Sequence, residues 1–228
     1  MSRTVVIAGV GPGLGASLAR RFDSEGCAVG LFARSHAFIE DLAEELSEAV
    51  AATVDVSDPA DIEAGFQTVR EALGPVDVLV FNASSAPWKG ALDVDPDEFD
   101  RALDTNVRGA LYCVQEAVPD MREAGEGTVI FTGATTSVRG REGAIGFSAA
   151  KFGARGMAES MARELGSEGI HVAHVVVDGG ILPPNREITD PEAYLDPDAV
   201  ADSYWHLVEQ DRSAWTLELD LRPYVEEF

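Results

Sequence analysis

The run Gly9-Val10-Gly11-Pro12-Gly13-Leu14-Gly15 has the composition of a loop that grips a diphosphate. Glycines at 9, 11, 13 and 15 let a backbone turn sharply and come close to a pyrophosphate. A helix opening at Leu14 would aim free N–H groups and a positive end at that anion. The loop falls between an apolar run, Val5 to Ala8, and a helical stretch, Leu14 to Glu25, which is the context a dinucleotide site demands. A second apolar run, Ala28 to Phe32, leads into Ala33-Arg34-Ser35. An acidic residue there would hold a ribose 2′-hydroxyl and repel a 2′-phosphate. Arg34 beside Ser35 instead suits the phosphate of NADP(H), with NAD(H) as the alternative if Arg34 is only a solvated loop charge.

The elements that must position this loop alternate along the chain. Further strands are expected at Thr53-Val54, Val76–Phe81, Thr128–Thr132, Val172–Val177 and Trp215–Leu219. Helices are expected at about 38–50, 58–73, 95–124, 146–167 and 198–210, with Asp58-Pro59 and Asp95-Pro96 as start signals. Nearly continuous apolar strands between helices imply a parallel sheet covered on both faces. The expected fold is a Rossmann-type three-layer α/β/α architecture, a doubly wound, mostly parallel, seven-stranded sheet forming one dinucleotide-binding domain over residues 1–228. The irregular stretch 179–196 is expected to cover the site.

The spacing Gly9-x-x-x-Gly13-x-Gly15 resembles the short-chain dehydrogenase/reductase family, and other segments agree. Asp55-Val56 follows the third strand, where that family places an Asp near the adenine. Asn82-Ala83-Ser84 stands where it usually has Asn-Ala-Gly. Asp104-Thr105-Asn106-Val107 is similar to its catalytic Asn segment, and Lys151 occupies the lysine position of its Tyr-x-x-x-Lys motif. The resemblance implies a lysine that binds the nicotinamide ribose, an asparagine that holds a relay water, a serine that orients the carbonyl and a tyrosine that moves the proton. Here Asn106 and Lys151 are present, but Phe147 stands at the tyrosine position and Ala134 at the serine position. Neither side chain can hydrogen-bond. After the sixth strand the family has Pro-Gly and then Thr, whereas this chain reads Asp178-Gly179-Gly180-Ile181. Asp178 is an unexpected charge there, and backbone groups at Gly179 and Ile181 could still meet the carboxamide.

Three readings follow from the resemblance. The first is an NADP-dependent oxidoreductase acting on a small carbonyl, enone or related compound, with Lys151 as acid and Thr135, Thr136 or Ser137 supplying a hydroxyl. The second is a nucleotide-binding sensor or scaffold without turnover, and the third a structural subunit of an active relative. Homodimers or homotetramers are expected, with Ala102, Ala110, Leu111, Val114, Met157 and Met161 giving two helices apolar surfaces.

Composition sets the wider bounds. Forty acidic residues against 17 basic ones give a net charge of −23. That disfavours nucleic acid and anionic membranes as partners. It points to adaptation to high salt, the plainer alternative being an ordinary acidic protein. Cys27 and Cys113 offer neither a disulfide framework nor metal spacing, and no metal site is expected. His171 and His174 read as core or strand-edge histidines, His36 and His206 as surface groups. Trp88 is a candidate pocket wall. The first strand begins at Thr4 and no apolar run is long enough to span a membrane, so a cytoplasmic protein is expected.

Overall fold

The computed structural model describes residues 2–184 and 188–226. Its elements, in chain order, are β1 (Thr4–Ala8), α1 (Leu14–Ser24), β2 (Ala28–Ala33), α2 (His36–Glu45), β3 (Ala49–Thr53), α3 (Pro59–Leu73), β4 (Val78–Phe81), α4 (Pro96–Leu103), α5 (Gly109–Ala124), β5 (Gly127–Thr132), α6 (Ile145–Leu165), β6 (Ile170–Val177), the short strands β7 (Gly180–Ile181) and β8 (Tyr194–Leu195), α7 (Pro197–Val208) and β9 (Glu218–Leu221). Seven strands form one sheet in the order β3-β2-β1-β4-β5-β6-β9, and every neighbouring pair is parallel. The sequence winds outward from β1 in both directions, so a crevice opens between the carboxyl ends of β1 and β4.

Alternation along each strand builds two cores. Val5 and Ile7 point to one face, against Leu18 and Phe22 of α1, Ile39 and Leu42 of α2 and Tyr204 of α7. Val6 and Ala8 point to the other, against Ile62 and Phe66 of α3 and Cys113 and Ala117 of α5. Each fully buried Leu, Ile or Phe contributes about 1.5–3 kcal/mol. Three helices start on Asp-Pro. Asp58, Asp95 and Asp196 accept N–H bonds from Ala60, Asp97 and Asp198, and the following proline fills a position whose N–H would have no partner.

Four expectations need correction. The helix expected over 38–50 ends at Glu45, and the third strand is Ala49–Thr53 rather than Thr53-Val54. The last strand begins at Glu218, not Trp215, because the Trp215 indole stacks on His171 with ring centres 4.9 Å apart. The helix expected over 95–124 is broken by a π-turn at Asp104–Arg108. Within the 179–196 stretch, β7 and β8 pair in parallel and Leu182 N–H bonds to the Leu195 carbonyl at 2.9 Å, while residues 185–187 lie outside the described residues.

Candidate functional site

Two cavities lie along the carboxyl ends of the strands and share Asn82 and Ser84, forming one groove. The first, of about 700 Å³, is lined by Gly9, Gly11, Arg34, Ser35, Asp55, Val56 and Ala83, together with Ser85, Arg101 and Thr105. The second, of about 800 Å³, is lined by Ala134, Phe147, Lys151, Gly179 and Ile181, together with Thr135, Thr136, Trp88, Arg139 and Arg141. Gly13, Leu14 and Gly15 line neither. The Leu14 side chain is in the core, so this residue can offer only its backbone to the groove.

The glycine-rich loop is fixed by close backbone approach. Gly9 has φ +104°, and a Cβ there would overlap the backbone of Ala83. A Cβ on Gly15 would lie 2.8 Å from the Gly9 carbonyl oxygen. Asn82 ties the loop to β4 by donating from Nδ2 to the Gly9 carbonyl at 2.8 Å. Around Gly11 and Gly13, by contrast, a Cβ would meet nothing within 4 Å. An open cradle at a helix N-terminus fits a diphosphate.

On the 700 Å³ side, Ser57 donates backbone and hydroxyl bonds to Asp55 at 3.0 and 2.7 Å. These bonds, helped by the nearby Arg34 and Arg101 guanidinium groups, hold the Asp55 carboxyl below its ordinary range. Neither arginine has a carboxylate within 4 Å among the described residues, whereas Arg108, about two turns beyond Arg101, is paired with Asp104. Arg101 was not anticipated. It is 67 positions from Arg34 in the chain, and only the fold brings the two to the same cavity.

On the 800 Å³ side, the buried Lys151 ammonium donates one bond, 2.8 Å, to the Thr132 carbonyl and has no acidic partner. Burial lowers its pKa from 10.5 to about 8. Its nitrogen lies 5.7 Å from the Phe147 ring centre. Phe147 packs edge-on against Trp88 at 5.6 Å, and Arg141 sits over Trp88 at 5.2 Å. Of the three hydroxyls near Ala134, Thr135 donates to Asp178 at 2.7 Å and Ser137 accepts from Ala134 N–H at 3.0 Å. Thr136 is buried and its hydroxyl has no partner.

Asp178 is not a loose charge beside the groove. Arg139 holds both its oxygens, at 2.8 and 2.9 Å, and Arg222 lies 3.6 Å away. Asn106 sits in the π-turn and is buried. Its Nδ2 donates to the Ser85 and Ala102 carbonyls, both at 2.9 Å, and its Oδ1 accepts from Ser84 at 3.1 Å. The amide therefore fastens the Ser84-Ser85 loop between the two cavities. Ala102, Ala110 and Val114, expected on an association surface, lie in the chain's own interior instead. Among the described residues, no three His, Cys, Asp or Glu side chains are arranged to hold a metal, and no helix is long and apolar enough to cross a membrane.

Comparison with known proteins settles the lineage. The family model of short chain dehydrogenases matches residues 3–188. The chain belongs to the short-chain dehydrogenase family. One relative is a 3alpha-hydroxysteroid dehydrogenase of Mediterraneibacter gnavus, 29% identical over 86% of this chain and 80% of that protein. A short-chain dehydrogenase from Rhodopseudomonas palustris superposes with TM-score 0.86 at 32% identity, covering 97% of this chain and 99% of the other. A metagenomic short-chain oxidoreductase solved in complex with NADP superposes with TM-score 0.85 at 26% identity, over 98% of each chain. This short-chain dehydrogenase thus has the family's fold, and the Phe147 ring and the Ala134 methyl group line the cavity that holds Lys151.

Proposed function

We propose that this short-chain dehydrogenase binds NADP(H), with NAD(H) the weaker alternative, and reduces a small carbonyl, enone or related compound without a tyrosine. The observation that carries the reading is the buried Lys151 ammonium at the wall of the 800 Å³ cavity, with two of its three N–H donors uncommitted. The cradle at Gly11 and Gly13 would take the diphosphate, Arg34, Ser35 and Arg101 the 2′-phosphate, and Gly179 and Ile181 the carboxamide. When bound, the nicotinamide supplies the hydride.

The chain's own contribution is at the substrate oxygen. The Thr136 hydroxyl, the one near Ala134 without a partner, donates a hydrogen bond to that oxygen. Lys151 Nζ delivers the proton and is left as a neutral amine, which its surroundings favour, since burial has already brought its pKa to about 8. Asn106 positions the loop that separates the two halves of the groove.

Phe147 and Ala134 favour a second reading, nucleotide binding without turnover, and one experiment separates the two. NADPH oxidation is followed at high KCl with a panel of aldehydes, ketones, enones and quinones, for the native chain, Lys151→Met and Phe147→Tyr. Hydride transfer predicts slow turnover that Lys151→Met abolishes and Phe147→Tyr raises, since a positioned proton donor contributes ~10²–10⁴ in rate. NADPH binding without turnover on any compound would favour the second reading.

A further inference from the structure

In a chain of net charge −23, cations without a carboxylate partner are scarce, and their places are informative. Among the described residues, Arg34, Arg101, Arg141 and Lys151 are the Arg and Lys side chains with no ion pair. Every other has an acidic group within 4 Å. All four line the groove. Carboxylates are abundant enough to neutralise cations over the rest of the surface, yet these four positive charges stay open to a ligand.

Arg34 and Arg101 fall on the side assigned above to the nucleotide, and Lys151 lies at the centre. Arg141 is left over. It lies on the 800 Å³ cavity, over the indole of Trp88, which is itself 57% exposed. Stacking engages the flat face of a guanidinium and leaves its N–H edge free, which is the geometry that takes a carboxylate or phosphate through two parallel bonds. Its neighbour on the same wall, Arg139, is already committed to Asp178. Trp88 and Phe147 supply apolar surface between Arg141 and Lys151. Glu226 also lines the cavity, within electrostatic reach of Arg222, and opposes an anion there.

We infer that Arg141 is the specificity residue of this groove and that the substrate carries an anionic group, a carboxylate or a phosphate, joined to its reducible centre by an apolar segment lying on Trp88 and Phe147. The inference rests on the hydride-transfer reading for the word substrate, but the anion site itself can be measured without turnover.

The probes are 4-oxo-4-phenylbutanoate, its neutral amide, and 3-oxo-3-phenylpropyl phosphate. Each is titrated calorimetrically into the full chain at fixed KCl, with and without saturating NADP+. The native chain is expected to bind an anionic probe at least tenfold more tightly than the amide. The tighter of the two anions identifies the group. Arg141→Gln should erase that preference while leaving NADP+ affinity unchanged, Arg141→Lys should keep part of it, and Glu226→Gln should strengthen it. The inference is overturned if the native chain binds both anions within twofold of the amide, if no probe binds, or if Arg141→Gln keeps the preference. A failure of NADP+ to bind would count against the hydride-transfer reading instead, because the titrations without nucleotide still report the anion preference.

Discussion

The Lys151 ammonium lies 5.7 Å from the centre of the Phe147 ring and donates its one hydrogen bond to the Thr132 carbonyl. The Phe147 ring can neither donate nor accept a proton and can only help to keep the lysine dry. If Lys151 is the acid, its charged form is the active one. Reductive kcat/KM should then be level below about pH 8 and fall above it. Stability should move the other way. The pKa is about 8 in the folded chain and 10.5 in the unfolded one, so the unfolded chain binds more protons between those values and folding gains as pH rises from 8 to 10.5. The gain is about 3 kcal/mol, and denaturant titrations of Lys151→Met should lack it.

Arg139 and Asp178 join the loop after β5 to the end of β6. Asp178 is buried, and removing its main partner leaves a carboxylate short of hydrogen bonds. Arg139→Gln should cost about 1–3 kcal/mol in chemical denaturation. Combined with Asp178→Asn it should cost less than the sum of the two single changes, because the charge is then gone.

The glycine loop offers a contrast between folding and binding. Gly9→Ala forces a Cβ into the backbone of Ala83 at φ +104° and should lower Tm sharply. Gly13→Val places a side chain where the chain leaves open space, so the fold should survive. NADPH affinity of the Gly13→Val protein should nonetheless fall at least tenfold, measured by nucleotide fluorescence.

Forty carboxylates against 17 basic residues make self-repulsion a cost of folding that salt relieves. Tm should rise steadily as KCl is raised from dilute buffer to molar concentration. Equal Tm across that range would remove the case for salt adaptation.

The order of elements was legible because it rests on local pattern: apolar runs, Asp-Pro helix starts, and glycines at fixed spacing. β3 was not. Ala49-Val50-Ala51-Ala52-Thr53 continues the apolar spacing of Ile39, Leu42 and Leu46 and has the alanine content of a helix. Its pairing with β2, from Val29 opposite Ala49 to Ala33 opposite Thr53, overrides that propensity. β9 was misplaced because Trp215 and Leu217 look like strand residues, while the edge strand itself reads Glu-Leu-Asp-Leu. In the site, Arg34 could be read from its place after β2. Arg101 and Arg141 could not, because each acquires its meaning only from what it lacks in the fold, a carboxylate within reach. Nor could the sequence choose among Thr135, Thr136 and Ser137, since the choice depends on which hydroxyl the fold leaves without a partner.

The central claim is that the groove holds a nicotinamide nucleotide with a 2′-phosphate, and equilibrium titration of the native chain and Arg34→Glu with NADPH and NADH tests it most directly. The native chain should bind NADPH at least tenfold more tightly than NADH, and Arg34→Glu should lose most of that difference through weaker NADPH binding. Absence of measurable affinity for both nucleotides in the folded native chain would contradict the account.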